Sequence, residues 1–178
     1  MKNQNMSPKT KWRPVLLTAA ATIVLDLITK TVAIANFSQW KPVTVIPGFF
    51  DLILTYNPGV AFSLLSDLGG DYPHLIVAGL AALALLPFIY FYKKAKAGDR
   101  LQLISLGLVW GGALGNIHDR LRWGAVVDFF DFYIGNRHWP AFNVADIAIC
   151  VGAALLAIGI FLEKPDSDSN AEKAPNLL

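Results

Sequence analysis

The sequence predicts an α-helical integral membrane protein with four transmembrane helices and a small β element outside the bilayer. Of the 178 residues, 54% are hydrophobic and only 16% are charged, whereas about 25% of residues are charged in an average soluble domain. Four segments have the roughly 20 predominantly apolar residues that a spanning helix needs. The net charge of +2 is too small to indicate nucleic-acid binding, and a single cysteine excludes an internal disulfide and a Cys-based metal site.

The four predicted spans are Pro14–Ala35, Pro73–Tyr92, Leu101–Leu121 and Phe142–Leu162. Pro87 is expected to kink the second span, which neighbouring helices in a bundle can accommodate. In the third span, Gly111 and Gly115 form a GxxxG pair that lets another helix approach closely. The start of the chain is similar to a cleavable signal peptide, but Asp26 and Lys30 interrupt its apolar run. We therefore interpret this segment as an uncleaved first span.

The distribution of Lys and Arg predicts the orientation of the spans. Ten of the 15 Lys and Arg residues lie in the head at residues 1–13, the connection at 93–100 and the tail at 163–178. The positive-inside rule therefore places both termini in the cytoplasm and the membrane domain, residues 14–162, between them. The tail is rich in Pro, Ser, Asp and Asn and is expected to be disordered. The segment at 122–141 then lies on the outer side.

The connection between the first two spans, at about residues 36–72, is predicted to be an outer β segment. Val43–Ile46 and Phe49–Tyr56 are β-branched and aromatic runs on either side of Pro47 and Gly48, a turn pair. This pattern predicts a hairpin or a small sheet. The segment is too apolar for a freely solvated loop, so we expect it to lie on the membrane surface.

Polar residues recur at one depth of the predicted bundle. An ionisable group at the centre of a spanning helix costs roughly 2.5–3.5 kcal/mol, and such groups usually face the bundle interior. Asp26 lies about 18 Å of helix rise beyond Pro14, in the outer half of the first span. The outer ends of the third and fourth spans add others at a similar level: Asn116, Asp119, Arg120, Asn143 and Asp146. The shared depth indicates a functional site near the outer face.

Structural roles are open for several of these residues. Asp26 and Lys30 are four residues apart, so they could neutralise each other on one helix face. Asp119 and Arg120 could form a simple ion pair at the membrane interface. Asn143 is a candidate N-cap of the fourth helix.

Asp128 and Asp146 are harder to explain by structure alone. Apolar residues flank both carboxyl groups, in Val126–Phe130 and in Ala145–Ile147, with no cation within a helical turn along the sequence. Two carboxyl groups that share an apolar site cannot both ionise easily. One protonated and one ionised Asp is the arrangement of aspartic proteases. Proton or ion conduction would use similar residues, so a proton-coupled membrane transporter is the alternative, and a scaffold without catalytic activity is a third hypothesis.

Five motifs follow one another along the chain, namely DLITK, NPGVAFS, GGALGNIHDR, VVDF and FNVAD, at Asp26–Lys30, Asn57–Ser63, Gly111–Arg120, Val126–Phe129 and Phe142–Asp146. With these motifs the chain resembles the signal peptidase II family, the lipoprotein signal peptidases. These bacterial inner-membrane aspartic proteases remove signal peptides from prolipoproteins. The resemblance extends from about Pro14 to Leu162. It implies a small outer β-cradle between the first two spans.

The resemblance also implies roles for individual residues. Asp128 and Asp146 correspond to the two catalytic aspartates, whereas Asp131 is outside the pair. From its aromatic outer segment alone, Asp131 could simply face water. Asp119 belongs to the same signature and is expected to be structural. Site support or substrate binding is implied for seven further residues: Asp26, Lys30, Asn57, Gly59, Asn116, Arg120 and Asn143.

The activity implied by the resemblance is aspartic endopeptidase cleavage just before a Cys that carries a diacylglyceryl group. The prolipoprotein substrate and membrane lipids are the expected partners, globomycin-type cyclic peptides the expected inhibitors, and a monomer the expected state. No cofactor is implied. The three histidines are scattered along the sequence, so no metal site is predicted. Cys150 is expected to be a small buried hydrophobe.

Overall fold

The computed structural model describes residues 10–39, 41–59 and 73–162. The predicted disordered tail at 163–178 lies outside the described residues, as does the start of the cytoplasmic head. The helices are α1 (Trp12–Asn36), α2 (Pro73–Leu83), α3 (Leu86–Lys94), α4 (Arg100–Trp123) and α5 (Val144–Leu162). The strands are β1 (Val43–Ile46), β2 (Phe50–Asn57), β3 (Val126–Ile134) and β4 (Arg137–His138).

The helices confirm the predicted multi-pass membrane protein. Three helical stretches of the described chain are long and apolar enough to cross a bilayer: α1, the α2–α3 stretch at 73–94, and α5. Helix α4 has 24 residues, a sufficient length, but carries Gly and polar residues on its buried faces. It packs against α1, α2 and α5. The span with the weakest apolar signal is therefore the central helix, because its neighbours rather than lipid surround it.

The second span is broken, as Pro87 predicted. Helix α2 ends at Leu83 and α3 begins at Leu86. Proline has no N–H to donate to the carbonyl four residues earlier, and its ring clashes with that carbonyl. The break is bridged by tighter turns, in which Leu85 N donates to Ala82 O at 3.1 Å.

Glycines on α4 let two helices approach its backbone, which confirms the predicted role of the GxxxG pair. A Cβ atom on Gly111 would lie 2.8 Å from the carbonyl oxygen of Ala19 in α1. A Cβ atom on Gly112, one position further round the helix, would overlap the carbonyl oxygen of Ala145 in α5. Helices α1 and α5 therefore pack on α4 at distances that no larger residue permits.

The sheet is antiparallel in the order β1-β2-β3-β4. The hairpin of β1 and β2 confirms the predicted β element between the first two spans. Strands β3 and β4 were not predicted, because the segment at 122–141 was assigned only to the outer side, without secondary structure. Strand β3 follows α4 directly after Gly124, which caps the helix with a φ of +74°. It then pairs with β2, with Asp128 opposite Thr55. This short link holds β3 against the end of α4.

We expect Gly111→Ala to destabilise the bundle, since the added Cβ atom would lie 2.7 Å from Thr22 Cβ. Overpacking of this kind costs about 1–3 kcal/mol. Gly79→Ala is the matched control, because a Cβ atom there meets nothing within 4 Å and Ala favours a helix over Gly by up to about 1 kcal/mol. Thermal unfolding in detergent micelles measures both. Equal unfolding temperatures for the two variants would contradict the packing described.

Candidate active site

A buried lysine joins the first and third spans. Lys30, only 2% exposed, lies with its Nζ 2.8 Å from Asp26 Oδ2 and 2.7 Å from Asp119 Oδ2. It also donates a hydrogen bond to Asn116 Oδ1 at 3.0 Å. The predicted pairing of Asp26 with Lys30 is confirmed, but α4 shares it. The predicted ion pair between Asp119 and Arg120 is wrong, because Asp119 is paired with Lys30.

The same two carboxylates hold backbone groups of β3 and α5. Asp26 Oδ1 accepts a hydrogen bond from Ala145 N at 3.0 Å, and Asp119 Oδ2 accepts one from Val127 N at 3.1 Å. Gly115 makes room for the first carboxylate, since a Cβ atom there would lie 2.5 Å from Asp26 Oδ2. Ala145 and Val127 each immediately precede a candidate catalytic residue. Lys30, Asp26 and Asp119, which we call the Lys30 cluster, therefore fix the backbone immediately before both candidate catalytic residues.

Asp128 lies on β3, outside the spans, and is 1% exposed. Its Oδ2 accepts a hydrogen bond from Asn57 Nδ2 at 2.9 Å, and its Oδ1 accepts one from Asn143 Nδ2 at 2.7 Å. The pKa of Asp128 is raised from 3.8 to about 6, chiefly by burial; the charge of Asp146 also raises it, while the two amide donors and the charge of Lys30 lower it. The two aspartates therefore interact electrostatically.

Asp146 lies in the first turn of α5. Asn143 Oδ1 accepts a hydrogen bond from Asp146 N at 3.0 Å, and Asp146 Oδ2 accepts one from Asn143 N at 3.1 Å. This is a reciprocal capping box, so the predicted N-cap role of Asn143 is confirmed. The helix begins at Val144, two residues later than predicted. The other carboxylate oxygen, Oδ1, accepts a hydrogen bond from Asn116 Nδ2 at 2.8 Å.

The two asparagines have defined orientations. The Lys30 ammonium group can only donate hydrogen bonds, so the amide oxygen of Asn116 must face it. The NH₂ group of Asn116 therefore faces Asp146. The carbonyl oxygen of Asn143 caps α5, so its NH₂ group points at Asp128. Each aspartate therefore receives a donor from an amide that cannot flip without losing a second bond.

Arg120 and Gly59 complete the group. Arg120 Nη1 donates to the carbonyl oxygen of Asn116 at 3.1 Å, and the guanidinium interacts electrostatically with both aspartates. Gly59 has a φ of +87°, and a Cβ atom there would lie 3.9 Å from Arg120 Nη2. Its N–H donates to Asn57 Oδ1 at 2.9 Å. Positions 60–63 of this motif lie outside the described residues.

Two expectations about neighbouring residues are wrong. Asp131 is 7% exposed rather than facing water, because β4 brings His138 Nδ1 to 2.9 Å from its Oδ2. Its own pairing leaves it outside the Asp128 and Asp146 group. Cys150 is exposed rather than buried, since it lies on a face of α5 that no other described element covers.

Two cavities adjoin the site. A cavity of about 500 Å³ is bordered by Asn57 and Asp146 and continues along α5. A second, of about 260 Å³, is bordered by Asn116 and Arg120 and lies between α4 and the second span. Among the residues that the structure describes, no group of three or more His, Cys, Asp or Glu side chains is placed to hold a metal ion. The arrangement places two interacting carboxyl groups beside an open cavity, where they can exchange protons with a bound molecule.

Comparisons with known proteins agree with this architecture. The family model described as Signal peptidase (SPase) II matches residues 18–162. The lipoprotein signal peptidase of Maridesulfovibrio salexigens is 40% identical over 148 residues, 82% of this chain and 94% of that protein. That of Ralstonia nicotianae is 47% identical over 138 residues, 76% of this chain and 77% of that protein. A bacterial membrane enzyme structure determined in meso at 1.9 Å superposes with a TM-score of 0.71 and 26% identity, covering 92% of this chain and 100% of that one.

We expect Lys30→Met to destabilise the protein by about 3–5 kcal/mol, since it leaves two buried carboxylates without their cation. Lys41→Met, which removes an exposed lysine, is the control and should change little. Thermal unfolding of both variants in detergent measures the difference. An unchanged unfolding temperature for Lys30→Met would show that the cluster does not hold the fold together.

Asp128→Asn removes a carboxyl group whose pKa is about 6 in the folded protein, against the ordinary value of 3.8. Such a group stabilises the fold fully below its unfolded pKa and loses this contribution as the pH rises through its folded pKa. We therefore expect the stability of the variant relative to the wild type to increase by up to about 3 kcal/mol between about pH 4 and pH 8, on top of a pH-independent cost of placing the Asn NH₂ group against the amide donor of Asn57 or Asn143. Unfolding measured between about pH 4 and pH 8 tests this; parallel profiles would refute it.

Proposed function

The chain belongs to the signal peptidase II family, and from this premise we propose that it is an aspartic endopeptidase in which Asp128 and Asp146 are the catalytic pair. Its substrate is a prolipoprotein whose Cys carries a diacylglyceryl group, and cleavage just before that Cys releases the signal peptide. The observation that carries the proposal is the pair itself. Two carboxyl groups from β3 and α5 interact electrostatically in one hydrogen-bonded group, and a cavity opens beside Asp146.

The two aspartates take different parts in the reaction. Asp146, ionised, accepts a proton from the water that attacks the scissile carbonyl, while Asp128, protonated, donates its proton to the carbonyl oxygen. When the tetrahedral intermediate collapses, Asp146 passes its proton to the leaving amine, and Asp128 recovers a proton from the hydroxyl that becomes the new carbonyl. The raised pKa of Asp128 supports its role as the proton donor. Since the pair is coupled, its titration in the assay belongs to both groups.

The surrounding residues position this pair and the substrate. Asn116 and Asn143 donate hydrogen bonds to the two carboxyl groups. Lys30 donates a hydrogen bond to Asn116 and is paired with Asp26. Arg120 supplies a positive charge close to both aspartates, where negative charge develops on the carbonyl oxygen. Asn57 donates to Asp128 and accepts a hydrogen bond from Gly59 N, and these two residues contact the substrate.

The enzyme works in the bacterial inner membrane as a monomer, with both termini in the cytoplasm. The exposed apolar side chains of α1, among them Leu16, Leu17 and Ile28, face membrane lipids. The active site then lies near the outer face, where water reaches it while acyl chains and the signal peptide stay in the bilayer. Globomycin-type cyclic peptides block the site, and the reaction needs no cofactor.

The proton-coupled transporter is not supported. A conduction path needs polar groups across the span, but the buried face of α4 between Ser105 and Asn116 is apolar. Its buried residues there are Leu106, Gly107, Val109, Gly111, Gly112 and Gly115. The comparisons match peptidases instead.

We expect Asp128→Asn and Asp146→Asn each to reduce cleavage of a diacylglyceryl-modified prolipoprotein by about 10²-fold or more, because each removes a proton-transfer group. Asp131→Asn is the matched control, since it changes a buried aspartate of the same strand that pairs with His138. Release of the signal peptide by purified protein is the measurement, with a globomycin-type peptide as the inhibited reference. Near wild-type rates for both active-site variants would overturn the assignment.

A further inference from the structure

The second span leaves a gap beside α5. Helices α2 and α3 both pack against α4, but within the described residues no comparable packing joins them to α5. The gap is the cavity of about 260 Å³, with α4 as its floor. Its walls are Ala81, Ala84, Leu85 and Phe88 from the second span and Ile149 from α5. It is an apolar groove within the membrane-spanning part of the protein, and we call it the inter-helix groove.

The larger cavity, of about 500 Å³, is enclosed by different parts of the chain from the inter-helix groove. It lies between the segment before α5, which includes Trp139 and Phe142, and the exposed side of α5 at Ile147, Cys150 and Val151. One helix forms most of its inner wall, and the opposite side is open to lipid. We call it the outer-face groove.

Asp146 stands between the two grooves. Residues three and four positions along a helix lie beside a given residue on the same side. Ile149, three positions after Asp146, lines the inter-helix groove, whereas Cys150, four positions after it, lines the outer-face groove. At one end, the inter-helix groove is lined by Asn116 and Arg120. The outer-face groove is lined at its corresponding end by Asn57. Both grooves therefore lead to the same reacting centre from different sides.

We infer that the two grooves separate the two apolar arms of the substrate, with the signal-peptide helix in the inter-helix groove and the acyl chains in the outer-face groove. This inference rests on the proposed function. A prolipoprotein has an apolar helix before the scissile bond and a lipid just after it. Both arms lie in the bilayer and must leave one reacting centre, so two grooves on either side of Asp146 keep them apart.

The walls decide which arm takes which groove. Helices pack closely in membranes where small residues line the contact. Both grooves have large apolar side chains, but the inter-helix groove also has small residues on two facing sides, Ala81 and Ala84 in the second span and Ala113 in α4. A helix there completes the bundle between the second span and α5. The outer-face groove has its one alanine, Ala141, in the segment before α5, and α5 presents only Asp146, Ile147, Cys150 and Val151 to it. Such a surface suits a flexible chain better than a helix.

Disulfide cross-linking tests the position of the signal helix. The inactive Asp128→Asn protein, also carrying Cys150→Ser, receives one new thiol, either by Ala81→Cys in the groove or by Ala82→Cys on the neighbouring exposed position. The substrate is a diacylglyceryl-modified prolipoprotein with one further Cys in the apolar part of its signal peptide. On mild oxidation we expect a cross-link to Ala81→Cys and much less to Ala82→Cys.

The native Cys150 tests the position of the lipid. In the Asp128→Asn protein with Cys150 retained, the diacylglyceryl-modified substrate should slow alkylation of this thiol by a lipid-soluble maleimide, and the unmodified prolipoprotein should not. A cross-link between the signal-peptide thiol and Cys150 in place of Ala81→Cys would reverse the assignment. If wild-type protein cleaves the substrate but neither position cross-links, the inference fails. If wild-type protein does not cleave it at all, the proposed function fails first.

Filling the groove supplies a kinetic test. Ala81→Leu occupies space that the signal helix needs, so we expect the apparent KM to rise at least about fivefold with kcat little changed. Ala82→Leu adds the same side chain at an exposed position and should leave both constants unchanged. Thermal unfolding of the two variants controls for folding. Equal KM values in folded variants would overturn the placement of the signal helix.

Discussion

The site depends on the buried cation of Lys30. Its two carboxylate partners use their remaining hydrogen-bonding capacity on Val127 N and Ala145 N, the groups that precede the two candidate catalytic residues. A buried ion pair contributes little net stability compared with apolar residues of the same volume, although losing one partner is costly. We interpret the cluster as a device that sets geometry: it joins α1, α4, α5 and β3 where the two aspartates must meet.

Elements that depend on local patterns were predictable from the sequence. Length and apolarity located the spans to within a few residues, Pro87 predicted the broken second span, and Gly111 predicted the close approach of α1. The spacing of Asn143 and Asp146 carried the signal of a capping box. The depth argument brought together side chains that the structure joins by hydrogen bonds, although no sequence pattern states their roles.

The remaining features arise from contacts between distant parts of the chain. Strand β3 has consecutive apolar residues rather than an alternating pattern, so it reads equally well as a loop at the membrane until β2 is seen beside it. Lys30 has a visible partner four residues away, but Asp119 comes from another helix. Likewise, Asp131 is buried only because β4 folds His138 onto it. In each case the missing information was which segments become neighbours.

The asymmetry of the two aspartates follows from the elements that carry them. Asp146 lies in the first turn of α5, where its Oδ2 accepts a hydrogen bond from Asn143 N just before the start of the helix. Asp128 lies in a strand, where strand dipoles largely cancel, and its burial outweighs two amide donors. One aspartate comes from each element, so the two carboxyl groups that we propose as the catalytic pair have different surroundings before any substrate binds.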